Sequence, residues 1–310
     1  MTQVPAISTR GLGKRYGGRA VVEALDLEVP PGSVFGFLGV NGAGKSTTMR
    51  MLTGLVWPDG GEARLLGEPI TPRRNRVLAR VGVLVEAPAF YLDLSGRRNL
   101  ELLAALSGGA SRAEVDAALS RVGLSERAGD KVRTYSHGMR QRLGIAQALL
   151  PRPELLILDE PSDGLDPAGM RDMRALVRSL ASQLGLTIFL SSHLLAEVQS
   201  VCDQVAVLHE GRLRFQGTVS SLRERFAAAR AIAVEVDRPE AAAALLRSLP
   251  GVEGVSVEGG ELSVSAGHAS AAQIASALVG AGFQLRRLVP RDLSLEEAFF
   301  GLLGDVRGDP

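Results

Sequence analysis

Cysteine is almost missing from this chain: Cys202 is the only one in 310 residues, which excludes an internal disulfide. It lies in an apolar stretch just before Val205–Leu208, where a buried structural thiol is expected rather than a redox centre. No Cys/His cluster has metal-ligand spacing. An excess of one charge is also lacking. The 35 basic and 34 acidic residues leave a net charge of +1, so no global electrostatic reason exists to expect nucleic acid as a partner. Local groups such as Arg73, Arg74 and Arg76 read as solvated surface. No run of about 18 uninterrupted apolar residues occurs, and no bilayer-spanning helix is expected. Met1 to Arg10 hold Pro5 and polar residues but no apolar signal segment, so a cytoplasmic chain is expected.

What is present suits a globular protein. Hydrophobic residues make up 45% of the chain, and its length allows one large core plus a smaller second domain. Residues 4 to 222 read as α/β. Strand-like apolar runs recur at 34–38, 81–85, 155–158, 187–191 and 205–208. Helical stretches alternate with them around 46–53, 100–105, 113–122, 140–149 and 168–184. That alternation predicts parallel strands covered by helices. A run at 25–29 before Pro30-Pro31-Gly32 adds a smaller β portion at the front.

Composition shifts to alanine, valine and short glycine breaks after about residue 222, and a second domain is expected over 229–303. Its predicted order is strand 231–236, helix 239–249, strand 252–258, strand 261–265, helix 269–280 and strand 283–289. Gly259-Gly260 is a hairpin signal between the middle strands. The order β-α-β-β-α-β is a split βαβ pattern. Ser294 and Glu297 have capping-box spacing for a last helix.

The sharpest local signal is Gly39-Val40-Asn41-Gly42-Ala43-Gly44-Lys45-Ser46-Thr47. It follows a strand-like run and precedes a helical one, the setting that a phosphate-binding loop requires. Glycines let successive backbone N–H groups turn towards phosphate oxygens at a helix N-terminus. Lys45 can reach the β- and γ-phosphates of ATP, and the Ser46 hydroxyl can coordinate Mg²⁺. A second component follows Leu155–Leu158, where Asp159 and Glu160 stand at the carboxyl end of a buried strand. Asp159 is placed to serve Mg²⁺, and Glu160 to polarise an attacking water as general base. His193 ends another strand-like run; by pattern alone it is equally a γ-phosphate sensor or a surface histidine opening a helix.

Tyr135-Ser136-His137-Gly138-Met139-Arg140-Gln141-Arg142-Leu143, shortly before Leu155–Glu160, resembles the signature of the ATP-binding cassette (ABC) transporter family, usually Leu-Ser-Gly-Gly-Gln. The resemblance covers residues 4 to 222. It implies a P-loop NTPase fold of the ABC type, with a β-rich N-terminal part and a helical signature region; the small C-terminal α+β domain is additional. It also implies a dimer in which ATP is sandwiched between one subunit's phosphate loop and Ser136 and Gly138 of the other. Tyr16 matches the aromatic that stacks on adenine, His193 the switch histidine, and Ser162–Asp166 the segment that communicates across the dimer. The implied setting is the cytoplasmic face of a membrane, with a separate transmembrane permease as partner.

Two departures stand out. Glu86 replaces the family's usual glutamine; it keeps acceptor oxygens for Mg²⁺ but loses the amide donor and adds a charge. His137 and Met139 alter the signature, and by the resemblance His137 is expected to bring steric bulk and a proton-dependent donor near the γ-phosphate of the ATP bound by the partner subunit. Glu86–Tyr91 resembles the bacterial exporters associated with drug and peptide-antibiotic resistance, and so does the tail at 293–300. An import ATPase is disfavoured on the same grounds. A soluble ABC ATPase of translation or DNA repair is the alternative function, although such proteins usually pair two cassettes or insert coiled coils or zinc modules.

Overall fold

The computed structural model describes residues 4–72, 75–86, 88–106, 108–222, 231–265 and 269–291. The chain divides into two compact units, Met1–Val219 and Ser220–Pro310.

The first unit opens with a front sheet in the order β2-β1-β4-β5, comprising β1 (Ile7–Tyr16), β2 (Arg19–Val29), β4 (Gly60–Leu65) and β5 (Glu68–Pro69). All its pairs are antiparallel. The run at 25–29 therefore proves to be the end of a longer strand. The rest of this sheet escapes a pattern reading because it is polar and interrupted. Gly17 and Gly18, at φ 54° and 82°, make the tight turn between β1 and β2, a conformation open to glycine at little cost.

The central sheet runs β10-β9-β3-β8-β7-β6. It comprises β3 (Val34–Leu38), β6 (Val81–Leu84), β7 (Leu155–Leu158), β8 (Thr187–Ser192), β9 (Gln204–His209) and β10 (Arg212–Thr218). Five strands are parallel, as the alternation predicts, and β10 adds an antiparallel edge. β3, β7 and β8 are buried along their whole length, which is why they read as continuous apolar runs instead of alternating ones. Phe35, Phe37 and Phe189 form the centre of the core, with ring centroids 5.9 and 5.3 Å apart. Each fully buried ring contributes about 2–3 kcal/mol of hydrophobic stabilisation.

The helices of this unit are α1 (Lys45–Leu52), α2 (Gly96–Leu106), α3 (Arg112–Arg121), α4 (His137–Leu149), α5 (Pro167–Leu184) and α6 (Leu195–Val201). α5 and α6 pack on the central sheet, α4 on its β6 edge, α2 and α3 against α4, and α1 against the front sheet. Their starts follow local chemistry. Ser111 and Glu114 make a full capping box on α3. Asp166 caps α5, accepting from the Gly169 N–H at 2.8 Å with Pro167 in the first turn. α4 begins three residues earlier than the expected 140, because Ser136 caps it by accepting from the Met139 N–H at 3.2 Å. The cap turns His137 and Gly138 into the first turn of a helix.

The second unit contains β11 (Ala231–Val236), α7 (Pro239–Arg247), β12 (Gly254–Glu258), β13 (Glu261–Ser265), α8 (Ala271–Gly280) and β14 (Leu285–Arg291). The element order is the predicted one, with ends shifted by up to two residues. Its antiparallel sheet has the order β12-β13-β11-β14. Gly259 and Gly260, at φ 61° and 87°, close the β12–β13 hairpin. Val234, Leu262, Val264, Leu246, Ile274 and Leu278 form a core of its own. The predicted capping pair Ser294 and Glu297, and the tail around them, lie outside the described residues.

Candidate nucleotide-binding site

β3 ends at Leu38, and the chain then loops through 39–44 into α1. Gly44 is the helix N-cap at φ 108°, and a Cβ there would meet the Val21 carbonyl oxygen at 2.6 Å. A Cβ on Gly39 would meet the Leu208 carbonyl oxygen at the same distance. Glycine at both positions lets the loop pack flat against its neighbours. The loop is further held by the Gly39 N–H to Ser192 carbonyl bond at 3.3 Å and the Gly211 N–H to Ala43 carbonyl bond at 3.0 Å. Asn41 and Gly42 are exposed at its tip, while Ser46 and Thr47 are half-buried behind it.

The Lys45 side chain is buried and folded back along the loop. Its Nζ donates to the Gly39 carbonyl at 2.7 Å and the Val40 carbonyl at 3.3 Å. It also lies 3.1 Å from Glu160 Oε1. The other Glu160 oxygen is 2.7 Å from His193 Nδ1. The three residues assigned to catalysis from the sequence, distant along the chain, therefore meet at one carboxylate. Burial pushes the Glu160 carboxyl up, but the Lys45 charge and hydrogen bonds from Lys45 and His193 outweigh it, and the net shift is downward. Glu160 holds φ 45°, a sparsely populated conformation for a non-glycine residue and one that recurs at functional sites.

Asp159 is fixed by a residue that the sequence reading passed over. Ser191, at the end of β8, donates to Asp159 Oδ1 at 2.5 Å and accepts from the Glu160 N–H at 2.9 Å. Register explains the meeting: Leu158 of β7 pairs with Leu190 of β8, so the next residues on each strand face each other. Glu86 also has a positive φ, 76°, and its Oε1 pairs with Arg50 of α1 at 2.6 Å. This ion pair was not foreseen; Arg50 reads only as a polar position of α1. Tyr16, at the end of β1, is 47% exposed, with the Lys14 ammonium 5.5 Å from its ring centroid.

Ser136 and Gly138 do not join this cluster. They line a separate cavity of about 500 Å³ with His137, Gly164, Leu165 and Asp172 among others. His137 Nε2 is 3.1 Å from the Asp163 carbonyl oxygen, linking the start of α4 to the segment after β7.

The ABC transporter family profile matches residues 22–163. The bacitracin transport ATP-binding protein BcrA of Enterococcus faecalis is 38% identical over 298 residues, covering 96% of each chain. The chain belongs to the ABC transporter family. The BcrA protein of Bacillus licheniformis is 45% identical over 219 residues, 71% of this chain and 72% of its own length. Among solved structures, cbiO1 of Clostridium perfringens, part of the ABC transporter complex cbiONQ, superposes with a TM-score of 0.64 at 27% identity. That match covers 71% of this chain and 94% of cbiO1. The expected P-loop NTPase fold, with its β-rich front and helical segment, is thus the ABC cassette. The chain is an ATP-binding and ATP-hydrolysing subunit of an ABC transporter, homologous to bacitracin and drug-resistance ATPases. No helix among the described residues is long and apolar enough to cross a membrane.

Proposed function

We propose that this chain powers an exporter from the cytoplasmic face of the membrane, passing the motion of its ATPase domain, residues 4–222, to a separate permease. The observation that carries the catalytic part is the convergence of Lys45 and His193 on Glu160, at 3.1 and 2.7 Å. Lys45 and the N–H groups of Gly39–Thr47 hold the β- and γ-phosphates of ATP. Tyr16 offers an exposed ring to the adenine. Glu160 polarises the attacking water, and His193 supports the γ-phosphate end.

Ser46, Asp159 and Glu86 supply a hard, all-oxygen donor set that fits Mg²⁺. The ion, when bound, offsets the phosphate charge. Glu86 joins this set only by leaving Arg50. Because Ser136 and Gly138 stand apart from Lys45, the site is completed by the same two residues of a second copy or a paired ATPase subunit. Closure then places donors where charge grows on the transferring phosphoryl group.

Export rests on the near full-length similarity to a bacitracin transport protein. The cargo class is a drug, a peptide antibiotic or a lipid, recognised by the permease. The domain over 229–303 is an accessory to this engine.

The test is to co-purify the chain with its permease and measure ATPase activity with candidate compounds, bacitracin first. Glu160→Gln should trap an ATP-bound dimer with little hydrolysis. Lys45→Ala should weaken nucleotide binding about 10- to 100-fold, since it removes charge-assisted hydrogen bonds. Hydrolysis at the wild-type rate by Glu160→Gln would sink the assignment of the base.

A further inference from the structure

Three consecutive residues at the end of β8 reach towards the turn that follows β7. Ser191 grips Asp159 and the Glu160 N–H, and His193 contacts the Glu160 carboxylate. Ser192, between them, acts through an intermediary. Its hydroxyl donates to Glu197 Oε2 at 2.6 Å, and Glu197 Oε1 accepts from the Ser162 hydroxyl. Ser192 also accepts from the Leu194 N–H at 3.0 Å, which fixes the turn carrying His193.

The arrangement has few alternatives open to it. Ser162 and Ser192 are only 3% and 2% exposed, so water cannot readily replace the carboxylate that satisfies both hydroxyls. Glu197 projects from α6 and lines the same small cavity, of about 30 Å³, as Glu160 and His193. Lys45 bonds the Gly39 and Val40 carbonyls, and the phosphate loop is tied down by the Gly39 N–H to Ser192 carbonyl and Gly211 N–H to Ala43 carbonyl bonds, backbone contacts in which the Glu197 carboxylate takes no part.

We propose that Glu197 is a positioning residue for ATP hydrolysis. Its carboxylate clamps the turn at 160–163 to the turn at 192–194, and so sets the distance and angle at which His193 meets Glu160. The proposal rests on the reading of Glu160 as the base. Misplacing a reacting group by about 1 Å costs on the order of 100-fold in rate, whereas a phosphate loop left untouched keeps its affinity. Loss of Glu197 should therefore lower kcat and spare nucleotide binding.

The experiment uses the full chain in complex with its permease. It compares Glu197→Ala, Glu197→Gln and Ser162→Ala for kcat, KM, fluorescent-ATP affinity and thermal unfolding, with Glu160→Gln alongside. Glu197→Ala should lose roughly 10- to 100-fold in kcat, with nucleotide affinity within about twofold of wild type. Ser162→Ala, which releases one arm of the clamp, should fall between. Glu197→Gln should recover most of the rate, because its amide can accept from one serine and donate to the other. Wild-type kcat in both Glu197→Ala and Ser162→Ala would overturn the proposal. So would a loss of affinity and melting temperature in step with kcat that Glu197→Gln does not repair. An active Glu160→Gln would instead overturn the base assignment itself; an inert one beside an active Glu197→Ala would remove the clamp alone.

Discussion

Lys45 Nζ stands 3.1 Å from Glu160 Oε1, so the lysine of the phosphate loop is paired with the glutamate after β7. Phosphate and carboxylate are both anions that an ammonium can hold. On the proposed function, an ATP phosphate reaching Lys45 would take the place of this carboxylate and leave Glu160 held by His193 alone.

That pairing has a consequence for stability. Burial raises the Glu160 carboxyl, but Lys45 and His193 bring it below its ordinary 4.5. A depressed carboxylate contributes stability that is fully present above the unfolded value and is lost as pH falls through the folded one. Denaturant unfolding of the nucleotide-free wild type and Glu160→Gln should show a stability difference that narrows as pH drops below 4.5. Parallel curves through that range would remove the coupling.

The Arg50–Glu86 pair is exposed, with side chains 35% and 63% accessible. Such a bridge contributes about 0–1 kcal/mol. A double-mutant cycle of Arg50→Ala and Glu86→Gln should give a coupling energy in that range, smaller again in about 0.5 M salt. A coupling near 3 kcal/mol, the scale of a buried pair, would contradict this placement.

His137 meets the Asp163 carbonyl through Nε2 at 3.1 Å. The carbonyl oxygen accepts, so Nε2 carries the proton and donates, tying the first turn of α4 to the segment after β7. His137→Gly removes this tie and places a glycine in the first turn of α4, and should lower the thermal unfolding stability by about 1–2 kcal/mol. An unchanged unfolding transition would show that the contact contributes nothing to the fold.

Cys202 is buried at 8% exposure, and burial pushes its thiol well up, away from the reactive thiolate. The native protein should resist a thiol reagent at neutral pH and react with one equivalent once unfolded in urea. Rapid labelling of the native chain would overturn the structural reading of this residue.

Much of the site was legible because its signals are local. Gly39–Thr47 carries its strand, loop and helix within a short stretch, and Leu155–Glu160 carries a buried strand with its carboxylates attached. The hairpin glycines Gly259 and Gly260 likewise announce the middle of the second unit. The front sheet and the antiparallel edge strand of the central sheet were harder to read. β1 and β10 alternate polar and apolar residues with bulges and glycines, so period-two patterning is broken where register shifts occur, as between Thr9 and Leu12. Arg50 and Glu197 carry no local signal, because nothing in their sequence neighbourhood names a partner 36 or 35 residues away.

The sequence by itself determined the buried strands of the central sheet, the element order of the second unit, the phosphate loop and the chemical character of Asp159, Glu160 and His193, since each depends on residues close along the chain. Only the tertiary structure decided which of them meet. Strand order places β8 between β3 and β7, and the Leu158–Leu190 register sets Ser191 against Asp159 and brings His193 to Glu160. Tertiary structure also keeps Ser136 and Gly138 in another cavity from Lys45. Parallel pairing joins segments far apart in sequence through the burial of whole strands, so the contacts at their ends are a property of the assembled core.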